Sequence, residues 1–367
     1  MKKKITFLYI FGQILPTFLI GIVVFIFIIL MFQFLKLTEF ILVHNVAIGS
    51  ILELLMNISI GFLPIILPMS LLFSVLLTYS RLSTDSEIVA FKALGYSPYY
   101  LASPAIFFSI FICVISSQTL FELGPRARLK VDTLLGRIGN QKIISTIQEG
   151  TFSESFFNLV LYTNQIDKEE KILRDLFIYD KRNSNNPIAI VAKTGEITTT
   201  SNTTNQSAAI VLKQGNIYKL GDASHTKVKF DTYSLVISSP VVTRKNEKDA
   251  DSFTLQQIST LLSDSSLSPA QQIEFSSEYH GRWAIAMSCL LFGFLGSSVG
   301  SSTNRRSNAS SGFILSVICI ISYWILFVVA NTLSKKMYAP PFVLIWTPNV
   351  LFALITIYAW RRHLTSS

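Results

Sequence analysis

The chain has 367 residues, of which 50% are hydrophobic and 14% are charged, with a formal net charge of +9. In a water-soluble protein about a quarter of the residues are normally charged, so this composition excludes an ordinary soluble enzyme. The apolar residues are gathered in long runs, and the composition therefore indicates a polytopic membrane protein. The basic residues lie mainly beside these runs, so the net charge gives little support for nucleic-acid binding.

Six apolar segments meet the length of about 20 residues that a membrane helix requires. Three precede a long polar segment and three follow it, which predicts an α-helical membrane protein with six transmembrane helices and an inserted domain. The predicted domains are residues 1–121, the insert 122–278 and residues 279–367. The six predicted spans are residues 11–35, 54–80, 99–121, 283–300, 312–333 and 342–360.

Lysine and arginine residues in the short loops predict the orientation of the chain. If both termini are cytoplasmic, most of this positive charge lies in the cytoplasm and the insert is exported. The first apolar run is expected to be retained, because it is too long for a signal peptide and no cleavage motif follows it. The cytoplasmic set is Lys2, Lys3, Lys4, Arg81, Lys92, Arg305, Arg306, Arg361 and Arg362, against Lys36, Lys335 and Lys336 outside.

A polar segment at residues 81–98 separates the second span from the third and has the pattern of a short helix. Thr84 and Glu87 predict a capping box at its start, and Gly95 followed by Pro98 predicts its end. Two interpretations remain open from the local pattern: an amphipathic helix on the membrane surface, or a docking helix for a cytoplasmic partner. Its predicted apolar stripe is Ile88, Phe91 and Leu94.

The insert changes to short alternating runs over about residues 140–240, which predict β-strands separated by turns. No helical pattern separates them, so we expect an antiparallel sandwich or roll. The insert contains no cysteine, because Cys113, Cys289 and Cys319 all fall in predicted spans, and its fold must form without disulfides. The runs are KIISTIQE, NLVLYTNQ, LRDLFIYD, PIAIVAKT, SAAIVLKQ, NIYKL and TKVKFDTYSLVIS.

A helical return over residues 254–278 is expected to lead into the fourth span. A short helix is predicted at residues 254–262, and Ser268 is expected to cap a second helix whose first residue is Pro269. Glu278 and Arg282 are four residues apart on that second helix. We expect them to form a structural ion pair.

Catalytic and metal-binding motifs are missing from the sequence. There is no P-loop, no H-E-x-x-H and no G-x-S-x-G elbow, and the four histidines lack metal-ligand spacing. Gly296 begins a GSSVGSS run, which we interpret as small residues that allow close helix packing. The spans have almost no acidic residues that could carry protons or sodium ions. We therefore expect neither an enzyme nor a cofactor, and any transport needs an outside energy source.

The chain resembles the LptF/LptG permease family, which exports lipopolysaccharide from the inner membrane of Gram-negative bacteria. The resemblance covers the whole chain, and the Ser-Glu-Ile core at residues 86–88 and the EGTF at 149–152 look more like the LptF branch. One departure is Gly281, where relatives often carry a second arginine. The motifs are ILPMSLL at 66–72, TDSEIVAFKALGYS at 84–97, EYHGRWAIAMSCLLFGFLG at 278–296 and the Arg305–Arg306 loop.

This resemblance implies that the helix at residues 84–95 is a coupling helix, which docks into a groove of a cytoplasmic ATPase. It also implies a jellyroll-like periplasmic insert. The other implied partners are a related LptG-like permease subunit, periplasmic LptC/LptA-like jellyroll proteins, lipopolysaccharide and the inner membrane, and the ATPase is an LptB-like dimer. The implied docking residues are Asp85, Ser86, Glu87, Ile88, Phe91 and Leu94.

Two rival functions remain open at this point. One is a permease of another ABC system, such as lipoprotein release, and the other is a non-transporting anchor whose exported β-domain binds partners.

Five residues are candidates for lipopolysaccharide binding. Lys36 could pair with a phosphate of the glycolipid, although simple snorkelling towards the headgroups is the usual explanation for a lysine at the end of a span. Four aromatic residues of the insert are expected on one inward face, where they would line a groove for acyl chains or form an ordinary closed core. These residues are Phe177, Tyr179, Phe230 and Tyr233.

Overall fold

The computed structural model describes most of the chain, apart from short segments between the elements. Six helices are long and apolar enough to cross a membrane, as predicted. The described residues are 2–44, 48–141, 149–156, 159–167, 172–181, 188–202, 205–220, 225–237, 250–263, 267–301, 310–336 and 340–365.

The helices extend well beyond the apolar segments that predicted them. The third span, for example, continues through a π-helical turn at Thr119–Leu123 and into a further helix, so no break occurs at the predicted boundary after residue 121. The helices are α1 Lys2–His44, α2 Ile48–Thr84, α3 Glu87–Ala93, α4 Pro98–Gln118, α5 Gly124–Gln141, α6 Leu255–Leu262, α7 Pro269–Ser301, α8 Ser310–Lys335 and α9 Pro341–Thr365.

The chain divides into two compact units. The first comprises residues 1–33, 55–128 and 250–367, and therefore holds most of the membrane helices together with α6. The second comprises residues 34–54 and 129–249 and holds the β-sheet.

Small residues allow the membrane helices to approach each other closely. A Cβ atom added to Gly300 of α7 would lie 2.7 Å from the Cβ of Tyr79 and 3.0 Å from the carbonyl oxygen of Leu76, both on α2. A Cβ on Gly296 would similarly lie 2.9 Å from a methyl carbon of Val75. The predicted role of the GSSVGSS run in close packing is therefore confirmed for its two glycines.

A buried polar network joins three helices of the last group. The Tyr323 hydroxyl on α8 donates to Asn349 Oδ1 on α9 at 2.8 Å, and Asn349 Nδ2 donates to the carbonyl oxygen of Ala284 on α7 at 2.8 Å. Polar groups inside a membrane need such partners, because lipid offers none.

Between α5 and α6 the insert forms an antiparallel β-domain, as predicted, and its described strands pair in sequential order as a six-stranded meander. The sequence predicts two strands for the runs SAAIVLKQ and NIYKL, which instead form one, Asn205–Leu220. The run KIISTIQE lies almost wholly outside the described residues. The strands are β1 Phe152–Phe156, β2 Leu159–Asp167, β3 Ile172–Asp180, β4 Ile188–Asn202, β5 Asn205–Leu220 and β6 His225–Ile237.

The alternation of buried and exposed residues shifts by one position partway along β3. Asp175 has a left-handed backbone with φ of 50°, and on either side of it the buried residues are Leu173 and then Leu176 and Ile178. These positions differ in parity, so a different alternate set points inward after Asp175. Gln214 on β5 is likewise left-handed, with φ of 53°. The inward side chains from both sides of these residues form a single aliphatic core.

Side chains cap both helices of the return to the membrane, and the cap at Ser268 is the one predicted. Thr254 and Gln257 form a capping box at the start of α6. Ser268 Oγ accepts from the backbone N–H of Gln271, and Pro269 is the first residue of α7. These bonds satisfy N–H groups that the first turn of each helix leaves unpaired.

Candidate functional site

The segment between α2 and α4 begins differently from the prediction. Helix α2 continues to Thr84, whose hydroxyl donates to the carbonyl oxygen of Ser80 and therefore does not cap a new helix. The N-cap of α3 is Ser86, in a left-handed conformation with φ of 66° and without a side-chain cap. The predicted capping box of Thr84 and Glu87 is therefore wrong, and the helix is Glu87–Ala93 instead of residues 84–95.

The end of α3 is a Schellman motif, as Gly95 suggests. Gly95 has φ of 83°, its N–H donates to the carbonyl oxygen of Lys92, and the N–H of Tyr96 donates to that of Phe91. Pro98 then occupies the first turn of α4, and Ser97 caps that helix by accepting from Tyr100 N–H at 3.2 Å. The short helix is thus held by backbone bonds at its C-terminus. In its last turn, burial lowers the pKa of Lys92.

The predicted apolar stripe of α3 divides between two faces. Ile88 is only 4% exposed and belongs to the buried cluster of the membrane helices, against which Phe91 also packs. Leu94 is 74% exposed, and so is Val89 at 63%. Ile88 and Phe91 therefore anchor α3 to this chain, and their predicted place among the docking contacts does not match their burial.

We use the name exposed face of α3 for three exposed residues, which are Val89 on the helix and Asp85 and Leu94 just before and just after it. All three are exposed, while Ser86 and Glu87 are half-buried. This face combines one carboxylate with two apolar side chains. An amphipathic surface of this kind can fit a groove on another protein.

Glu87 has a partner that the sequence does not reveal. The Tyr9 hydroxyl of α1 donates to its carboxylate, with distances of 3.0 Å to Oε1 and 2.9 Å to Oε2. The two residues are 78 positions apart, and no local pattern links them.

Arg282, in the first half of α7, forms several polar contacts at once. Its side chain is buried, with 3% exposure, and its Nε lies 2.8 Å from Glu278 Oε1. Its terminal nitrogens donate to the carbonyl oxygens of Phe253 at 2.7 Å and of Asp251 at 3.2 Å. The arginine thus holds the chain just before α6 against α7, in addition to forming the predicted type of ion pair.

The four aromatic candidates of the insert do not share a face. Phe230 and Tyr233 pack against the aliphatic core, with ring centroids 5.5 Å apart. Phe177 and Tyr179 alternate with the buried Leu176 and Ile178 and so lie on the opposite face of β3. The prediction that all four residues share one inward face is therefore wrong for Phe177 and Tyr179.

Two basic features named from the sequence fall outside what the structure describes. Lys36 lies on α1, but its side chain is outside the described residues. The Arg305–Arg306 loop is outside them as well.

Six spanning helices with an antiparallel β-domain inserted after the third define a class of multi-pass membrane protein. The family model described as lipopolysaccharide export system permease LptF/LptG matches residues 8–362. Because this match covers nearly the whole chain, the protein belongs to the LptF/LptG family. The family model covers both the LptF and the LptG branch, so the assignment of this chain to the LptF branch stays a prediction.

Curated relatives match parts of the chain. An uncharacterized protein of Rickettsia prowazekii is 24% identical over 225 residues, which are 59% of this chain and 60% of that protein. The lipopolysaccharide export system permease protein LptF of Escherichia coli K12 is 25% identical over 158 residues, or 42% of each chain. LptF of Shigella flexneri matches to the same extent. The chain thus spans about half the length of the relatives it matches.

Proposed function

We propose that this protein is a permease subunit of an ABC transporter that extracts lipopolysaccharide from the bacterial inner membrane. The family match over residues 8–362 carries this proposal. The six spans and the inserted β-domain agree with it, since a permease needs membrane helices to hold the lipid and an exported domain to receive it. In this arrangement both termini and α3 are cytoplasmic, and the sheet is periplasmic.

The energy comes from a separate cytoplasmic ATPase dimer in this proposal. The exposed face of α3 supports it, because Val89 and Leu94 leave apolar area uncovered on a short helix whose C-terminus is held by a Schellman motif. Apolar side chains on a short helix are typical anchors for a groove on a partner. Asp85 adds a charge that a basic residue of the ATPase can pair with. A related LptG-like subunit would complete the membrane cavity.

The periplasmic sheet passes the lipid on to an LptC/LptA-like bridge in this proposal. Phe230 and Tyr233 remain its candidates for acyl-chain contact, because they lie beside the aliphatic core on β6, which is the last strand of the described sheet. An edge strand can also pair with a strand of another protein.

Purification of the intact complex from native membranes tests the proposal. We expect an ATPase to co-purify and its activity to rise when lipopolysaccharide is added. Stimulation by lipoprotein instead would indicate a lipoprotein-release permease. If no ATPase co-purifies, the chain is a membrane anchor and the proposal is wrong.

Photocrosslinking in living cells tests the lipid contacts. Crosslinkers at Phe230 and Tyr233 should capture lipopolysaccharide in an ATP-dependent way, and one at Phe177 on the opposite face is the matched control. A crosslinker at Lys36 should capture lipopolysaccharide if it pairs with phosphate. Capture of phospholipid alone there would favour snorkelling.

A further inference from the structure

One face of α1 contacts the chain at three points between residues 81 and 96, the segment that contains α3. Thr6, Tyr9 and Gln13 follow at intervals of three and four residues, so they lie on one side of the helix. Thr6 Oγ1 is 3.4 Å from the Tyr96 hydroxyl, just after α3, and Arg81 Nη2 at the end of α2 donates to Gln13 Oε1 at 2.8 Å. Tyr9 bonds to Glu87 between these two contacts. Helix α1 thus contacts the segment before, within and after α3.

The contact at Tyr9 has two parts. The hydroxyl donates to both oxygens of the Glu87 carboxylate, and the ring lies edge-on to Phe91 with centroids 6.5 Å apart. Hydrogen bonds to a charged acceptor are about twice as strong as neutral ones. The hydroxyl therefore supplies a directional bond that the aromatic contact alone would not give.

Apolar packing supports this polar contact from the adjacent face of α1. Ile10 and Ile14 are buried in the same cluster as Ile88 of α3. Because packed side chains resist sliding past each other, a displacement of α3 is resisted at Ile88. The Tyr9–Glu87 bond adds a directional polar contact between α1 and α3 beside this packing.

We propose that Tyr9 is a positioning residue, which transmits movements of α3 to the first membrane helix through the carboxylate of Glu87. The inference rests on the proposed function, because it assumes that an ATPase moves α3. In this account the exposed face of α3 is held by the ATPase, while Glu87 faces the permease and bonds to α1. Glu87 then acts in coupling and contributes little to ATPase affinity.

The test uses the intact transporter in proteoliposomes, with ATP hydrolysis and lipopolysaccharide release measured together. Tyr9→Phe removes the hydroxyl and keeps the ring beside Phe91. We expect normal ATPase association and an amount of lipopolysaccharide released per ATP that falls about tenfold, the scale of one lost bond to a charged group. Tyr358→Phe removes a hydroxyl from another tyrosine, which is 67% exposed on α9, and should leave this ratio unchanged.

Substitutions at Glu87 distinguish the hydrogen bond with Tyr9 from the negative charge of the carboxylate. Glu87→Gln keeps an oxygen that accepts from Tyr9, so it should retain more coupling than Glu87→Ala. The double variant Tyr9→Phe/Glu87→Ala should lose no more than Glu87→Ala alone, because both changes remove the same bond.

Three results would overturn the inference. These are an unchanged release per ATP in Tyr9→Phe, a loss of ATPase association in that variant, and additive losses in the double variant. Failure of the proposed function looks different, because the wild-type complex itself would then lack a lipopolysaccharide-stimulated ATPase.

Discussion

The membrane helices and the inserted sheet bury their interiors by different means. Along α2 and α7 the helices approach closely at Gly296 and Gly300, where side-chain and backbone atoms of α2 leave no room for a Cβ. A buried arginine and an asparagine join neighbouring segments. The sheet instead buries leucine and isoleucine side chains in one aliphatic core. Both regions bury large apolar side chains, but the contacts between the membrane helices also depend on small residues and satisfied polar groups, whereas the described sheet depends on apolar volume alone.

The solvent of each region explains this difference. Lipid is as apolar as leucine, so helices in a membrane gain little by burying large side chains and associate through close packing and hydrogen bonds. A sheet in water gains about 25 cal/mol for each Å² of apolar area that it buries. We therefore expect the two regions to respond to opposite kinds of substitution.

Arg282→Met is expected to have the largest effect. It removes donors from the carbonyl oxygens of Phe253 and Asp251 and leaves Glu278 without this partner. Each buried acceptor left unpaired costs about 1–3 kcal/mol, so the melting temperature in detergent should fall and residues 250–263 should become protease-sensitive. Arg128→Met is the control, because its pair with Asp251 is exposed and is worth about 1 kcal/mol or less. Equal effects of both variants would contradict the account.

Leu161→Ala tests the volume-dependent sheet. Leu161 is 1% exposed in the aliphatic core, and truncating such a residue costs about 2–5 kcal/mol. Hydrogen exchange of the full-length protein should speed up across the strands and stay unchanged in α7. Val191→Ala, on the exposed side of β4, should have little effect, and a comparable loss there would mean that the core face is misassigned.

Gly300→Val tests the size-dependent helix packing. The added atoms would meet the backbone of α2, which cannot move aside as a flexible side chain can. Overpacking costs about 1–3 kcal/mol, and the folded fraction on size-exclusion chromatography should fall. Gly61→Val places the same side chain on α2 with no atom within 4 Å of the added Cβ. If both variants fold equally well, close packing at Gly300 is not required.

Gln214→Gly should produce a small stabilisation of the sheet. A left-handed backbone costs a side chain such as glutamine about 1–2 kcal/mol, and glycine avoids this strain at some cost in entropy. We expect a net gain of about 0.5–1 kcal/mol, seen as slower hydrogen exchange in β5. Gln165→Gly, at an exposed β2 position outside the set of residues with positive φ, should destabilise instead. A loss in both would show that Gln214 is unstrained.

Features that depend on local sequence could be predicted from it. The six spans follow from apolar length, and the end of α3 follows from Gly95, because a left-handed residue ends a helix most easily as glycine. The caps at Thr254 and Ser268 are local in the same sense. Each of these features involves residues a few positions apart.

Features that depend on distant contacts could not be predicted. Thr84 has the sequence of a cap, but α2 continues to it because Leu82 and Ile88 pack into the membrane core. In the all-apolar run from Leu176 to Tyr179, alternation cannot decide which residues face inward, and the left-handed Asp175 sets the parity. The bond between Tyr9 and Glu87 joins two helices that no sequence pattern connects.

ATP-driven release of lipopolysaccharide from proteoliposomes that contain Glu87→Lys tests the central claim most directly. The substitution replaces the acceptor of Tyr9 with a cation and should cost only about 1–2 kcal/mol in stability, so the complex should assemble at normal levels. We predict that the wild type releases lipopolysaccharide with ATP and that Glu87→Lys does not. Normal ATP-driven release by Glu87→Lys would contradict a coupling role for α3.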